Sequence, residues 1–291
     1  MRRPATIFGG LVLAFLLTFG HAWSAERVSA AIVLAVDVSG SVDAERYELQ
    51  RAGIAAVFAD PAIEQLLGGG LAVAVMEWSD GHSVVIPWTI LRRAEDAQAL
   101  AARIAQVKRT PGVSTELSLA MLAAAELFAE CPCRPNQRII DMSGDGPNNG
   151  PVSTWIARDQ VVARGITVNG LPIVTPAEPD LAAWYAANVV GGEGAFLEVA
   201  QGFCDFARAM RKKFAREVAS ASGGREPSGR AAREVPPQGV RVEVAPDQHE
   251  PAPPQLVLAP GALALAVDQH VHRLQHEALG LALERQDALG P

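Results

Sequence analysis

Apolar and polar positions fall into blocks that alternate between two periodicities. From Ser29 to Val38 the chain is continuously apolar, short and rich in branched residues, the pattern of a strand buried on both faces of a parallel sheet. Asp43 to Ala59 follows with helical spacing of Tyr47, Leu49, Ile54, Val57 and Phe58, and ends before Pro61. Gly68-Gly69-Gly70 breaks the chain. Leu71–Trp78 reads as a second strand, Asp80-Gly81 as a turn and Ser83–Ile90 as a third strand, so these two form a hairpin. Helices are expected at Ala94–Val107, at Thr115–Ala129 with Ser114 or Thr115 as the cap, at Val152–Ala163 before Gly165, at Asp180–Asn188 and at Phe203–Val218. The remaining strands are expected at Gln137–Met142, Ile166–Val174 and Ala195–Val199.

Strands alternating with helices predict an α/β fold, doubly wound. The expected sheet is mostly parallel and six-stranded, with one antiparallel edge strand and helices on both faces. One domain, residues 26–218, holds all of it. Before it lies a basic start (Arg2, Arg3), an apolar run from Ile7 to Phe19, and small residues at Ala22, Ser24 and Ala25. That is the layout of a secretory signal peptide over residues 1–25, placing the protein in the periplasm or outside the cell. An uncleaved anchor is the weaker reading, because the run falls short of the roughly 20 residues of a span; after cleavage no integral span is expected. Beyond Phe214 there is no Phe, Tyr or Trp, and Pro236-Pro237 and Pro251-Ala252-Pro253-Pro254 interrupt the chain. Residues 219–291 therefore read as a disordered tail with one possible helix over 261–285.

The formal net charge of −7 argues against nucleic acid as a partner, since phosphate binding needs a basic surface. Of the three cysteines, Cys131 and Cys133 flank a single proline, a spacing too tight to pair comfortably. A bridge from one of them to Cys204 is expected, with unpaired thiols as the alternative; the four ligands of a zinc site are missing.

Chemistry-bearing residues gather where functional loops of such sheets lie, beyond the carboxyl ends of strands. Asp37-Val38-Ser39-Gly40-Ser41 leaves the first strand, Ser114-Thr115 opens a helix, and Ser143-Gly144-Asp145-Gly146 leaves the fourth. Alternation turns Asp37, Ser39 and Ser41 the same way, and Gly40 lets the backbone bend so that their short side chains converge. Two aspartates balance a dication, and hard cations prefer oxygen. Thr115 and Ser114 stay open to a plain capping role, and Asp37 and Ser39 to satisfying backbone groups. Asp141 reads as a hydrogen-bonded core residue, and Glu77 and Trp78 as structural.

Asp-Val-Ser-Gly-Ser after a buried strand resembles the first motif of the von Willebrand factor A domain. Thr115-Glu116-Leu117-Ser118-Leu119-Ala120-Met121 resembles its second and Asp145-Gly146 its third, in the expected order. The resemblance spans nearly all of 30–218. Segments 143–149, 165–173 and 191–196 are similar to a bacterial branch of that superfamily, a domain of unknown function. The superfamily implies a metal-ion-dependent adhesion site holding Mg²⁺ (or Mn²⁺ or Ca²⁺). Ser39, Ser41 and Thr115 would touch the ion, with Asp37 and Asp145 acting directly or through water.

The expected function is an exported, metal-dependent protein-binding module whose partner supplies a carboxylate. Two alternatives are a metal-assisted hydrolase and a structural domain with a vestigial site. Catalysis is the weaker expectation, because within the expected domain only His82 is available and a hydrolytic triad needs a positioned histidine.

Overall fold

A computed structural model of the chain describes residues 25–222. The expected signal segment, the tail and its possible helix lie outside the described residues. Six strands form one sheet: β1 (Glu26–Asp37), β2 (Leu71–Trp78), β3 (His82–Leu91), β4 (Cys133–Gly144), β5 (Thr167–Val174) and β6 (Ala200–Gln201). Their spatial order is β3-β2-β1-β4-β5-β6, and every pairing is parallel except β2 with β3. The doubly wound α/β expectation therefore holds, including the antiparallel edge.

Seven helices cover the sheet: α1 (Ala44–Phe58), α2 (Pro61–Glu64), α3 (Ala94–Ile104), α4 (Leu117–Leu127), α5 (Thr154–Ala163), α6 (Leu181–Asn188) and α7 (Phe206–Ser222). Alternation along β1 divides the core. Ile32, Leu34 and Val36 face Tyr47, Ile54, Leu100, Phe206 and Phe214 of α1, α3 and α7. Val33 and Ala35 face Met121, Ala124, Val161 and Tyr185 of α4, α5 and α6. A strand with both faces dry has no polar stripe, which is why β1 reads as an unbroken apolar run.

Local chemistry sets the element ends. Asp43 caps α1 by accepting from the Arg46 amide at 2.9 Å. Asp60 caps the short α2, which the sequence pattern did not predict because Pro61 reads as a stop; here it occupies the first helical turn, where its missing N–H costs nothing. In β3 the register against β2 slips around the exposed Pro87, a bulge at a residue that cannot donate to a ladder.

Four expectations are corrected. β4 begins at Cys133 rather than Gln137, because its polar first residues pair with the start of β1 (Glu26 with Cys133, Arg27 with Arg134). The last strand is Ala200–Gln201, not Ala195–Val199; the earlier stretch reaches β5 only through single bridges and bonds such as the Phe196 amide to Asn169 Oδ1. Helix α4 starts at Leu117, so neither Ser114 nor Thr115 caps it. The disulfide joins Cys131 to Cys133, whose Cα atoms lie 5.1 Å apart, within the ordinary range. Cys204, exposed, carries a free thiol. It follows the end of β6, whereas Cys131 and Cys133 precede and begin the parallel β4, so the pair expected from spacing lies at opposite ends of the sheet.

Candidate metal centre

The carboxyl end of β1 carries Asp37, and the chain leaving β4 at Gly144 carries Asp145. Strand register sets these ends side by side, with Val36 opposite Ser143. Asp37 is fully buried; its Oδ1 accepts the Ser39 amide at 2.7 Å, folding the loop back over the strand end. Ser39 is also fully buried and its Oγ lies 3.3 Å from Ser41 Oγ. The Ser41 hydroxyl donates to Asp145 Oδ1 at 2.6 Å. Four of the five residues predicted for the site thus meet in one hydrogen-bonded chain, from the buried floor at Asp37 through the Ser39 amide and hydroxyl to the exposed Ser41 and on to Asp145.

Thr115 arrives by a different route. Its amide donates to Asn149 Oδ1 at 2.8 Å and its carbonyl accepts the Asn149 amide at 2.9 Å. This pins the second loop to the segment that follows Asp145. The Thr115 hydroxyl is not joined to the other four residues by any hydrogen bond among the described residues. Asn148 performs the capping that sequence spacing assigned to Ser114 or Thr115: its Oδ1 accepts both the Ser118 amide and the Ser118 hydroxyl at 3.1 Å. The cap comes from 30 residues away, so no local signal announces it.

Several groups hold the first loop rigid. The Gly40 amide donates to Val113 O at 2.9 Å, Gln50 Nε2 to Asp37 O at 3.1 Å, and Arg109 Nη2 to Val38 O at 2.8 Å and Ser39 O at 3.1 Å. Glu77, buried, accepts from Tyr47 Oη and from the Thr110 amide, both at 2.7 Å, which confirms its structural role. Arg46, in the first turn of α1, donates from Nη1 to Ser41 O at 2.7 Å and lies 3.6 Å from Asp145 Oδ2.

Under this rim the second carboxylate oxygen of Asp37 is buried without a hydrogen-bond partner. Burial pushes the Asp37 carboxyl up to about 7; the hydrogen bonds from Ser39 and the backbone of Asp145 oppose the shift and the Asp145 charge adds to it. Tyr185 Oη, equally buried and unpartnered, comes close by. A Cβ placed on Gly144 would lie 2.8 Å from both Asp37 Oδ2 and Tyr185 Oη, so only glycine fits there. The sequence pattern gave no sign of Tyr185, whose position on α6 reads as ordinary core.

The donor set is two carboxylates and hydroxyls, and no group of three or more His, Cys, Asp or Glu side chains suited to a metal occurs among the described residues. Oxygen-only donors around an orphaned buried carboxylate oxygen fit a hard divalent cation. A positive ion here would satisfy an atom that the protein leaves unsatisfied.

Asp141 is a buried core residue, as expected, and an ion pair holds it there. Its Oδ2 pairs at 2.6 Å with Lys213 Nζ of α7, and Lys213 also donates to Glu217 Oε1 at 2.7 Å. Asn169 Nδ2 donates to the same Glu217 oxygen at 2.7 Å. Burial and the Glu217 charge push the Asp141 carboxyl upward, with Lys213 opposing.

Comparison with known proteins is consistent with this architecture. The profile of a family described as protein of unknown function (DUF1194) matches residues 27–222. No curated protein matches the sequence. Among solved structures, proximal thread matrix protein 1 (PTMP1) from the mussel byssus is 18% identical, with a TM-score of 0.51 over 66% of this chain and 48% of its own. This chain therefore spans about half the length of that protein. A second structure is the vWF domain of the type V pili tip protein Mfa5 from Porphyromonas gingivalis, at 9% identity and a TM-score of 0.52, covering 69% of this chain and 99% of that one. At these identities the likeness is one of fold, the von Willebrand factor A fold.

Proposed function

The chain belongs to the DUF1194 family, and from that premise we propose that it is a divalent-metal-dependent protein-binding module. The observation that carries the reading is Asp37 Oδ2, a fully buried carboxylate oxygen with no partner, beneath the hydroxyls of Ser39 and Ser41 and beside Asp145. Leaving such an atom unsatisfied is costly, and a cation removes the cost. Asp37, Ser39, Ser41, Thr115 and Asp145 would hold the ion, Mg²⁺ or Mn²⁺, directly or through water. When bound, the ion would supply an electrophilic position for a carboxylate oxygen from a partner protein, because neutral hydroxyls leave its charge incompletely compensated.

The surroundings suit a protein partner. Val113, 78% exposed, sits on the loop that bonds to Gly40, and Trp155, 50% exposed, opens α5 just beyond the Asp145 loop. An exposed apolar side chain on a loop bonded to the centre would add to a protein-binding face. Binding rather than turnover is part of the proposal: the only histidine among the described residues is His82, at the start of β3. The pilus and byssus proteins of similar fold are compatible with a role outside the cytoplasm, as is the absence of any membrane-spanning helix among the described residues.

The test is thermal. Chelator-stripped protein is expected to gain melting temperature on addition of Mg²⁺ or Mn²⁺, since a ligand that binds only the folded state stabilises it. Asp37→Ala is expected to abolish the gain. Wild-type protein indifferent to both ions overturns the proposal.

A further inference from the structure

Two arginines donate to the carbonyls of the Asp37–Ser41 loop, and they are not equivalent. Arg109 spends Nη2 on two carbonyl oxygens at once, Val38 O and Ser39 O, and serves as a clamp. Arg46 makes one hydrogen bond at the centre, from Nη1 to Ser41 O. Its approaches to Asp145 Oδ2 at 3.6 Å and to Asp43 Oδ2 at 3.9 Å are too long for hydrogen bonds. A guanidinium carries five N–H donors, so most of this fork is uncommitted. The Arg46 side chain is 40% exposed, and its charged end stacks over the Phe203 ring at 5.1 Å. It is thus oriented without being consumed.

Two carboxylates offset the charge of Arg46 in the metal-free protein, while the helix end itself disfavours a cation. Arg46 lies in the first turn of α1, the positive end of the helix dipole, where acidic side chains are favoured. A dication held by Asp37 and Asp145 would be neutralised by their two charges, so that of the two carboxylates near Arg46 only the exposed Asp43, 3.9 Å away, would still offset its charge. Asp43 makes no hydrogen bond to the guanidinium, whose donors stay open to an arriving anion. Carboxylate is the anion whose two oxygens match such a fork.

We propose that Arg46 is the residue that makes this site selective for a carboxylate, which it holds jointly with the cation position, so that a neutral oxygen ligand of the same shape is discriminated against. The inference rests on the metal-dependent reading above. It assigns the partner's contact to an acidic side chain through a residue of this chain that lies outside the three motifs.

The experiment measures Mn²⁺ affinity by calorimetry on chelator-stripped protein. Titrations are run in excess sodium acetate, or in acetamide with sodium chloride at the same ionic strength. Acetate is expected to tighten Mn²⁺ binding by wild-type protein about threefold or more, because two ligands that favour each other do so reciprocally. In Arg46→Gln the acetate effect is expected to vanish, while Mn²⁺ binding in acetamide becomes tighter by about threefold as a like charge is removed. Arg46→Lys, which keeps the charge but loses the fork, is expected to restore wild-type affinity in acetamide with a reduced acetate effect. An acetate effect undiminished in Arg46→Gln overturns the proposal. So does weaker Mn²⁺ binding by that variant, which would mark Arg46 as a brace for the Ser41 carbonyl. Wild-type protein that binds no Mn²⁺ is a different failure: it removes the metal-dependent reading itself, and this inference with it.

Discussion

The Ser41 hydroxyl reaches Asp145 Oδ1 across 2.6 Å, joining loops 104 residues apart in sequence. Neither residue is informative alone. Asp-x-Ser-Gly-Ser marks a strand end in many contexts, and an aspartate before glycine marks a turn. Their meeting requires β1 and β4 to be parallel neighbours, which only the sheet order supplies. The site is therefore a property of topology, and its sensitivity to substitution follows from how closely the strand ends approach.

Gly144→Ala tests that closeness. The added Cβ would lie 2.8 Å from Asp37 Oδ2 and from Tyr185 Oη, two buried groups with little freedom to move. Overpacking of this kind costs about 1–3 kcal/mol. Urea denaturation is expected to show that loss, and thermal melts are expected to show that Mg²⁺ no longer stabilises the variant. A normal metal response in Gly144→Ala would mean that Asp37 Oδ2 is not at the centre.

Lys213 offers a separate test of the core. It is fully buried between Asp141 and Glu217. Lys213→Met keeps the apolar stem and deprives Asp141 and Glu217 of the cation they share. Removing one partner of a buried ion pair typically costs about 3–5 kcal/mol, so the denaturation midpoint is expected to fall sharply. The double change Lys213→Met with Asp141→Asn is expected to recover part of the loss.

The same cluster sets a pH dependence. Burial raises the Asp141 carboxyl from its ordinary value, and Glu217 adds to the rise while Lys213 opposes it. Between about pH 4 and pH 7 the folded protein then holds a proton that the unfolded chain releases. Stability contributed by this group is present at the acid end and is lost as pH rises, with a limiting slope of about 1.4 kcal/mol per pH unit. Asp37 is raised too and acts with the same sign in metal-free protein. The difference between wild type and Asp141→Asn isolates Asp141: the variant is expected to gain on wild type from pH 5 to pH 8, as read by denaturant melts at each pH. A difference that does not change with pH would show that Asp141 stays ionised throughout.

Cys131 and Cys133 close a ring of three residues, so their bond removes little freedom from the unfolded chain. The loop-closure relation gives about 1.6 kcal/mol for a ring this small. Cys131→Ser with Cys133→Ser is expected to lower stability by no more than that. Mass spectrometry of non-reduced peptides is expected to find those two linked and Cys204 open to alkylation. A peptide joining Cys204 to either of them would contradict the pairing.

The sequence was most legible where burial is uniform. β2 runs from Leu71 to Trp78, as its apolar run predicts, because every residue in it is buried. Legibility failed where a residue's role depends on a distant partner. The first residues of β4, Cys133 to Asn136, are a strand only because the start of β1 lies beside them. Lys213 reads as the solvent face of an amphipathic helix, and only Asp141 across the core explains its burial. Of the five oxygen-bearing residues expected from the motifs, Asp37, Ser39, Ser41 and Asp145 meet at the strand ends, while Thr115 is tied to the neighbouring segment through Asn149. Asn148 and Asn149 are placed near the site by their position just after Asp145, though not their partners 30 and 34 residues away; Tyr185 and Arg46 give no sign, because each acts through a distant contact or from an element that looks ordinary.

The bulge at Pro87 has a bearing on how this molecule behaves in a crowd. A strand at the margin of a sheet invites another copy to pair with it, the first step toward fibrous aggregation. Here one margin is β3, where an exposed proline interrupts the row of donors and the register slips. The other is β6, two residues long. Neither margin presents an unbroken ladder to a neighbour. Such a sheet offers a second copy little to pair with at either margin.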